Sequence, residues 1–175
     1  MASNQSKLGK LIVILVFLVL FLILLYAGFA EWISVNPAIL SFLGPLVGIP
    51  TFSLYWVLSN PSNASYPLGS SYLVFLAAAV FYFIALISAL LLLRSRRLLL
   101  PSGILSIISA IIGFVAVGAI SSNSYNGIPI LLAGSGTYLV LSVGIIYIIL
   151  YALARFGLSL DEIVKRLLLA FGIKK

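Results

Sequence analysis

Hydrophobic positions are grouped along the chain into four long runs, which short polar or basic segments separate. The runs cover about 11–29, 71–93, 101–120 and 129–154. Each run reaches the ~20 apolar residues that an α-helix needs to cross the hydrocarbon core of a bilayer. The pattern therefore predicts an all-α integral membrane protein built as a bundle of four transmembrane helices.

A fifth apolar and uncharged stretch, residues 36–58, is also long enough to cross, and the distribution of charge decides whether it does. With four crossings, all 10 lysines and arginines lie on one side of the membrane. With five crossings, Lys7 and Lys10 would face the opposite side from all the others. Basic residues in short loops favour the cytoplasmic side. We therefore predict four spans, both termini in the cytoplasm, and a long external loop over residues 30–70.

Cap and turn residues predict local structure inside this loop. Asn36-Pro37 is typical of a helix start and Gly44-Pro45 of a helix end, which predicts a short helix of about 37–43. The segment TFSLYWVL, residues 51–58, is rich in β-branched and aromatic residues and predicts a strand. An alternative stays open, in which residues 36–58 re-enter the membrane.

The C-terminal segment differs from the rest of the chain, which divides into a membrane domain over 1–157 and a cytoplasmic helix with a basic tail over 158–175. Ser159 and Glu162 have the spacing of a capping box, and apolar residues follow at helical intervals. The pattern predicts an amphipathic helix. Two placements of this helix remain open. It lies on the inner leaflet, or it packs beneath the bundle or on a partner subunit.

Composition limits the chemistry that the protein can perform. The chain is 63% hydrophobic and 7% charged, and it contains neither cysteine nor histidine, whereas soluble domains carry roughly 25% charged residues. Cysteine nucleophiles, serine–histidine pairs and thiolate or imidazole metal sites are therefore excluded. We predict a protein that is not an enzyme and has no metal and no cofactor. The basic excess reflects topology, so no nucleic-acid partner is expected.

Small residues within the spans predict where helices pack closely, because association inside a membrane depends on close backbone approach. The first span has no small residue between Leu11 and Tyr26. We therefore expect it at the edge of the bundle, against lipid or another subunit. The predicted packing positions are Ser106, Ala110, Gly113, Gly136 and Gly144.

Very few polar groups mark the predicted outer surface. Glu31 is the only acid there, and it is either a solvated boundary residue or a contact for a cation or a partner. Asn63 begins a glycosylation sequon, Asn63-Ala64-Ser65. Because a glycan would supply the hydration that the missing charges do not, we predict a protein of an archaeal plasma membrane that is glycosylated on Asn63. A cleaved signal peptide is the alternative interpretation of the first span.

The first external loop contains Trp32 just after span one and then Leu54-Tyr55-Trp56. With its tetraspan topology, long first loop and short second loop, the chain resembles the claudin superfamily. Members of that family place a tryptophan after span one and a Gly-Leu-Trp followed by two cysteines later in the loop. Here the glycine and both cysteines are missing, and the second loop, about 121–128, is expected to be too short for the family's strand. The resemblance implies adhesion, barrier formation or membrane-domain organisation.

An apolar, uncharged external loop is typical of an interaction surface. We therefore expect an accessory subunit of a larger membrane complex or an adhesion or scaffold protein, whose partners besides lipid are other membrane subunits or further copies of itself. The alternative is a small channel or carrier in which residues 36–58 line a pore. The expected interaction residues are Trp32, Phe52, Tyr55 and Trp56.

Overall fold

The structure is a computed structural model that describes residues 2–37, 52–61, 71–120, 124–125, 128–129, 131–158 and 160–170. Along the chain the elements are α1 (Ala2–Phe29), β1 (Glu31–Val35), β2 (Phe52–Ser53), α2 (Leu54–Ser59), α3 (Ser71–Leu91), a 3-10 turn (Arg96–Leu98), α4 (Leu99–Ile120), β3 (Ser124–Tyr125), β4 (Ile128–Pro129), β5 (Leu131–Ala133), α5 (Ser135–Arg155) and α6 (Leu160–Ala170).

Four of the helices, α1, α3, α4 and α5, are long and apolar enough to cross a membrane. This confirms the predicted multi-pass protein with four spans. Helix α4 packs between α3 and α5, and α1 completes the bundle against α5 and α3. One end, here called the sheet end, carries β1, β2, β5 and α2. The opposite end, here called the basic end, carries the α3–α4 turn, the C-terminus of α5, and α6.

Helix α1 uses one face for packing and leaves the other exposed, as the other three spans also do, so its place at the bundle edge stays a prediction. The large residues that it turns away from the protein include Leu11, Ile14, Leu15, Leu18 and Leu22. The residues that it buries recur at helical intervals and belong to the common hydrophobic core: Val13, Phe17, Leu20, Leu24 and Ala27.

At the sheet end, β1 is the middle strand of an antiparallel sheet with the order β2-β1-β5. Ile33 pairs with Ala133 of β5 on one side and with Phe52 of β2 on the other. Strand β5 lies outside the predicted second loop of about 121–128, in a segment that was predicted to belong to the fourth span. The segment after α1 and the segment before α5 thus build the same sheet.

The predicted start of the fourth span was wrong. Pro129 lies in β4, and the helix begins only at Ser135. Gly134 is its N-cap, and the Gly134 amide donates to the carbonyl oxygen of Trp32 at 2.9 Å. A side chain at position 134 would collide with the backbone carbonyl of Glu31. Contacts with the distant β1 thus set the helix boundary.

The predicted strand over residues 51–58 is mostly helical. Only Phe52–Ser53 is a strand, and α2 follows directly because Ser53 is an N-cap: its Oγ accepts a hydrogen bond from the Trp56 amide at 3.2 Å. Of the helix predicted over 37–43, Pro37 is helical. The remainder, with Gly44-Pro45, lies outside the described residues.

Helix α6 packs against α1, which agrees with the placement beneath the bundle. Val164 is 7% exposed and belongs to the hydrophobic core, and Leu160 and Leu168 pack against that core. Glu162 pairs with Arg166 at 3.6 Å on the exposed side. The helix therefore uses its apolar face within the chain itself.

Candidate functional site

Trp32 is the central residue of the sheet end. Since β1 follows α1 almost directly, the chain turns at Ala30 and places the Trp32 ring over the bundle. The residue is 0% exposed, and its Nε1 donates to the carbonyl oxygen of Ala27 at 2.7 Å. A buried indole N–H requires a partner, and here the last turn of α1 supplies it.

The Trp32 ring contacts the other three spans as well. Phe75 and Tyr82 of α3 approach it edge to face, with ring centroids at 5.8 and 5.7 Å. A Cβ added at Gly113 of α4 would lie 3.2 Å from the ring, and one at Gly136 of α5 would lie 2.5 Å from it. All four spans therefore meet around one indole, and two glycines leave the space that it fills.

Hydrogen bonds fix this aromatic cluster to the backbone. Besides Gly134, the hydroxyl of Thr137 donates to the Trp32 carbonyl oxygen, at 3.2 Å. The Tyr82 hydroxyl donates to the carbonyl oxygen of Leu24 in α1 at 2.7 Å. The sheet, α1, α3 and α5 are thus joined by polar contacts as well as by packing.

A second group of aromatic residues lies at the surface of the sheet end. Tyr55 of α2 stacks on Phe29 with centroids 4.1 Å apart, and Gly28 leaves room for the Tyr55 ring. Phe29 and Tyr26 are 62% and 63% exposed. We call Tyr26, Phe29 and Tyr55 the aromatic patch. Exposed aromatic rings at the end of a span are typical of the membrane–water interface.

The residues expected on an interaction loop divide into two groups. Trp32 and Phe52 are buried at 0% and 4% exposure, because they fill the space between the sheet and the spans. Tyr55 and Trp56 are half-buried on α2 and remain accessible. Glu31 is exposed at the start of β1, opposite Ser53. Asn63 lies outside the described residues.

Small residues allow α4 and α5 to approach closely. A Cβ added at Gly144 would lie 3.0 Å from the Ser106 Cβ and 3.0 Å from the carbonyl oxygen of Gly103. The Ser109 hydroxyl donates to the Ala78 carbonyl oxygen of α3 at 2.8 Å. The predicted packing residues are all buried: Ser106, Ala110, Gly113, Gly136 and Gly144.

Other buried hydroxyls lie in the half of the bundle nearer the basic end. Within the described part of the chain, the side-chain oxygens of Ser102, Ser106 and Tyr147 have no hydrogen-bond partner. Ser106 and Tyr147 are 0% exposed. The described interior therefore carries hydroxyl groups without partners where it approaches the basic end.

The basic end contains a pocket of about 290 Å³ that the sequence did not suggest. Arg96 and Arg97 of the 3-10 turn and Arg155 at the end of α5 line it, together with Tyr151. Its remaining walls are apolar and come from α1, α4, α5 and α6: Phe17, Leu99, Leu150, Ala154 and Leu160. Arginines that are far apart in the sequence thus share one cavity.

Over the described residues, no group of three or more His, Cys, Asp or Glu side chains is arranged to hold a metal ion. No protein-family model, curated protein or solved structure matches this chain. Its function must therefore be argued from the two ends of the bundle.

Proposed function

We propose that the protein is a non-enzymatic tetraspan protein that acts through interactions at the sheet end, as an accessory subunit of a larger membrane complex or as an adhesion or scaffold protein. The supporting observation is the packing of Trp32, which joins the sheet to all four spans by a hydrogen bond and ring contacts. Contacts that already hold a surface in place reduce the conformational freedom that it loses on binding. In this proposal the membrane is the plasma membrane, the sheet end faces outward, and both termini are cytoplasmic.

The position of Trp32 argues against the alternative of a channel or carrier. Its fully buried ring lies among all four spans at the sheet end. A pathway within a single chain would have to displace a buried aromatic cluster. A pore would therefore need several copies of the chain around a shared axis.

We also propose that the chain is related to the claudin superfamily, which it resembles in topology and in its loop tryptophans. Trp32, directly after span one, is hydrogen-bonded to the end of that span. Its strand, β1, pairs with β5, which lies just before the last span. Both loops thus contribute to one external surface. The cysteines of that family are absent, and in this chain the contacts of Trp32 hold the first strand against the spans.

The orientation is testable because the chain contains no cysteine. Glu31→Cys places a thiol on the exposed start of β1, and Ser95→Cys places one in the α3–α4 turn. An impermeant thiol reagent added to intact cells should label the first variant and spare the second. The reverse pattern, or labelling of both, would contradict the proposed orientation.

The interaction is testable by photo-crosslinking in native membranes. A photoreactive amino acid at Leu132, 37% exposed on β5, should give a discrete protein adduct. The control is Ile149, 51% exposed on α5, where lipid adducts are expected. Lipid adducts alone at both positions would contradict a protein partner at the sheet end. Ion flux into vesicles that requires the purified protein would favour the channel instead.

We also propose a glycan on Asn63 of an archaeal protein, since a sugar would hydrate a surface with so little charge. Intact-mass measurement of protein from its native membrane tests this directly. A mass equal to that of the unmodified chain would contradict it.

A further inference from the structure

We propose that the pocket at the basic end binds the phosphate-bearing headgroup and adjoining hydrocarbon chain of an anionic membrane lipid. The proposal rests on the chemistry of the pocket wall and is independent of any partner at the sheet end. Its occupant would be a structural or regulatory lipid held between the spans and α6.

The charged part of the wall is complementary to phosphate. Arg96, Arg97 and Arg155 line one pocket of about 290 Å³, and none of the described residues that line it is acidic. A guanidinium group presents a planar set of donors that binds phosphate oxygens in pairs, and it is more weakly hydrated than an ammonium group. Arginines that line one pocket therefore favour an anionic phosphodiester headgroup over a zwitterionic one, whose own cation balances the phosphate charge.

The apolar part of the wall distinguishes a lipid from a free anion. Phe17 belongs to the candidate span Leu8–Phe29 and lies roughly 14 Å along the helix from Leu8, by the rise of an α-helix. Leu150 of α5 is also part of a candidate span. The pocket thus extends from arginines at the helix ends to side chains inside the membrane segments. Inorganic phosphate would leave this apolar wall uncovered, whereas the hydrocarbon chain of a lipid would cover it.

The position in the fold agrees with this occupant. The arginines lie where α3, α4 and α5 leave the apolar spans, which is the depth of lipid headgroups. Tyr151, half-buried in the same wall, supplies a hydroxyl close to that level. Leu160 at the start of α6 borders the pocket. A bound lipid would therefore touch both the spans and the docked C-terminal helix.

The first experiment measures lipid binding by the full chain in mild detergent, with native mass spectrometry to count adducts and a thermal-shift titration to give affinities. The probes are a short-chain phosphatidylglycerol, the matching phosphatidylcholine, and inorganic phosphate. We expect saturable binding of phosphatidylglycerol at one site, at least tenfold tighter than either of the others. Equal binding of phosphatidylcholine, or of phosphate alone, would overturn the proposal.

The second experiment locates the site with charge-matched variants. Arg97→Gln with Arg155→Gln removes two guanidinium groups from the pocket, and Arg94→Gln with Lys165→Gln removes two exposed charges at the same end that do not line it. Loss of paired charge-assisted hydrogen bonds should weaken phosphatidylglycerol binding by about tenfold or more in the first variant only. Equal weakening in both would indicate general surface attraction and overturn the site.

A third variant separates the pocket's shape from its charge. Ala154 lines the pocket and is exposed, so Ala154→Trp should fill the cavity, keep every arginine, and leave the fold intact. We expect it to lose phosphatidylglycerol binding as the arginine variant does, with circular dichroism unchanged. Retained binding in a folded Ala154→Trp protein would overturn the assignment to this cavity.

Discussion

At the sheet end, Tyr82 donates its hydroxyl hydrogen to the Leu24 carbonyl oxygen at 2.7 Å; nearer the basic end, Tyr147 is equally buried but has no hydrogen-bond partner within the described residues. The serines of α4 repeat the contrast. Ser109 bonds the Ala78 carbonyl oxygen, whereas Ser106, one turn earlier, has no described partner. Polar groups are thus satisfied around Trp32 and left unpaired toward the pocket.

The two ends also differ in charge and in packing. Among the described residues, the sheet end carries one charged side chain, the exposed Glu31, whereas the arginines of the chain lie at the basic end. Glycines let the sheet end close tightly around an indole, whereas a cavity remains among the arginines. The sheet end is thus closely packed around Trp32, and the basic end contains a cavity.

The largest expected effect comes from the two tryptophans. Trp32→Ala removes a fully buried indole that contacts all four spans, which should cost about 3–5 kcal/mol of unfolding free energy. Trp56→Ala, at a half-buried position on α2, should cost clearly less. Thermal or denaturant unfolding in detergent measures both. Equal losses would show that Trp32 does not organise the sheet end.

A matched pair of glycines tests how tightly the sheet end is packed. A Cβ at Gly136 would lie 2.5 Å from Trp32 Cδ1 and 2.7 Å from the Ala27 carbonyl oxygen, so Gly136→Ala should destabilise by roughly 1–3 kcal/mol. Gly118 of α4 is exposed with nothing within 4 Å, and Gly118→Ala should stabilise slightly through helix propensity. The same unfolding assay serves both. A neutral Gly136→Ala would argue against close packing on the indole.

The four spans could be predicted from the sequence because about 20 consecutive apolar residues have few other structural solutions. Local boundaries were harder. Only Gly-Ser-Gly-Thr, residues 134–137, separates the apolar β5 segment from the apolar part of the last span, and this short uncharged break was not enough to mark a boundary. The Gly134 cap forms through the Trp32 carbonyl oxygen, about a hundred residues earlier in the chain, and local patterns carry no such information.

The predicted strand over 51–58 failed for a different reason. A short aromatic and apolar run is compatible with either strand or helix, and Ser53 was the cap signal that favoured a helix after Phe52–Ser53. The Trp32 cluster and the pocket could not be predicted at all. Positive-inside reasoning puts Arg97 and Arg155 at the same end, but only the fold shows that they share a cavity.

The docking of α6 offers a smaller, local test at the basic end. Val164→Ala removes buried methyl groups and should weaken docking by roughly 1–2 kcal/mol. Lys165→Ala changes an exposed neighbour and should stay within about 0.5 kcal/mol. Trypsin cleavage at Arg166, present in both variants, reports opening of the helix. Cleavage at the same rate in both would contradict docking through Val164.

The smallest expected effect distinguishes the two ends most directly. Tyr82→Phe and Tyr147→Phe each remove one hydroxyl from a fully buried ring, so ring packing is matched. Tyr82→Phe loses the bond to the Leu24 carbonyl oxygen and should destabilise by roughly 0.5–1.5 kcal/mol, the usual range inside membrane proteins. Tyr147→Phe removes a buried hydroxyl with no described partner. This change should be neutral or stabilising, because burying that hydroxyl costs desolvation free energy that no hydrogen bond offsets.

Unfolding midpoints in one detergent, with the double variant to test additivity, measure the difference. An equal loss for both tyrosines would mean that the basic half satisfies its hydroxyls as the sheet end does, and the contrast between the two ends would then rest on charge and cavity alone.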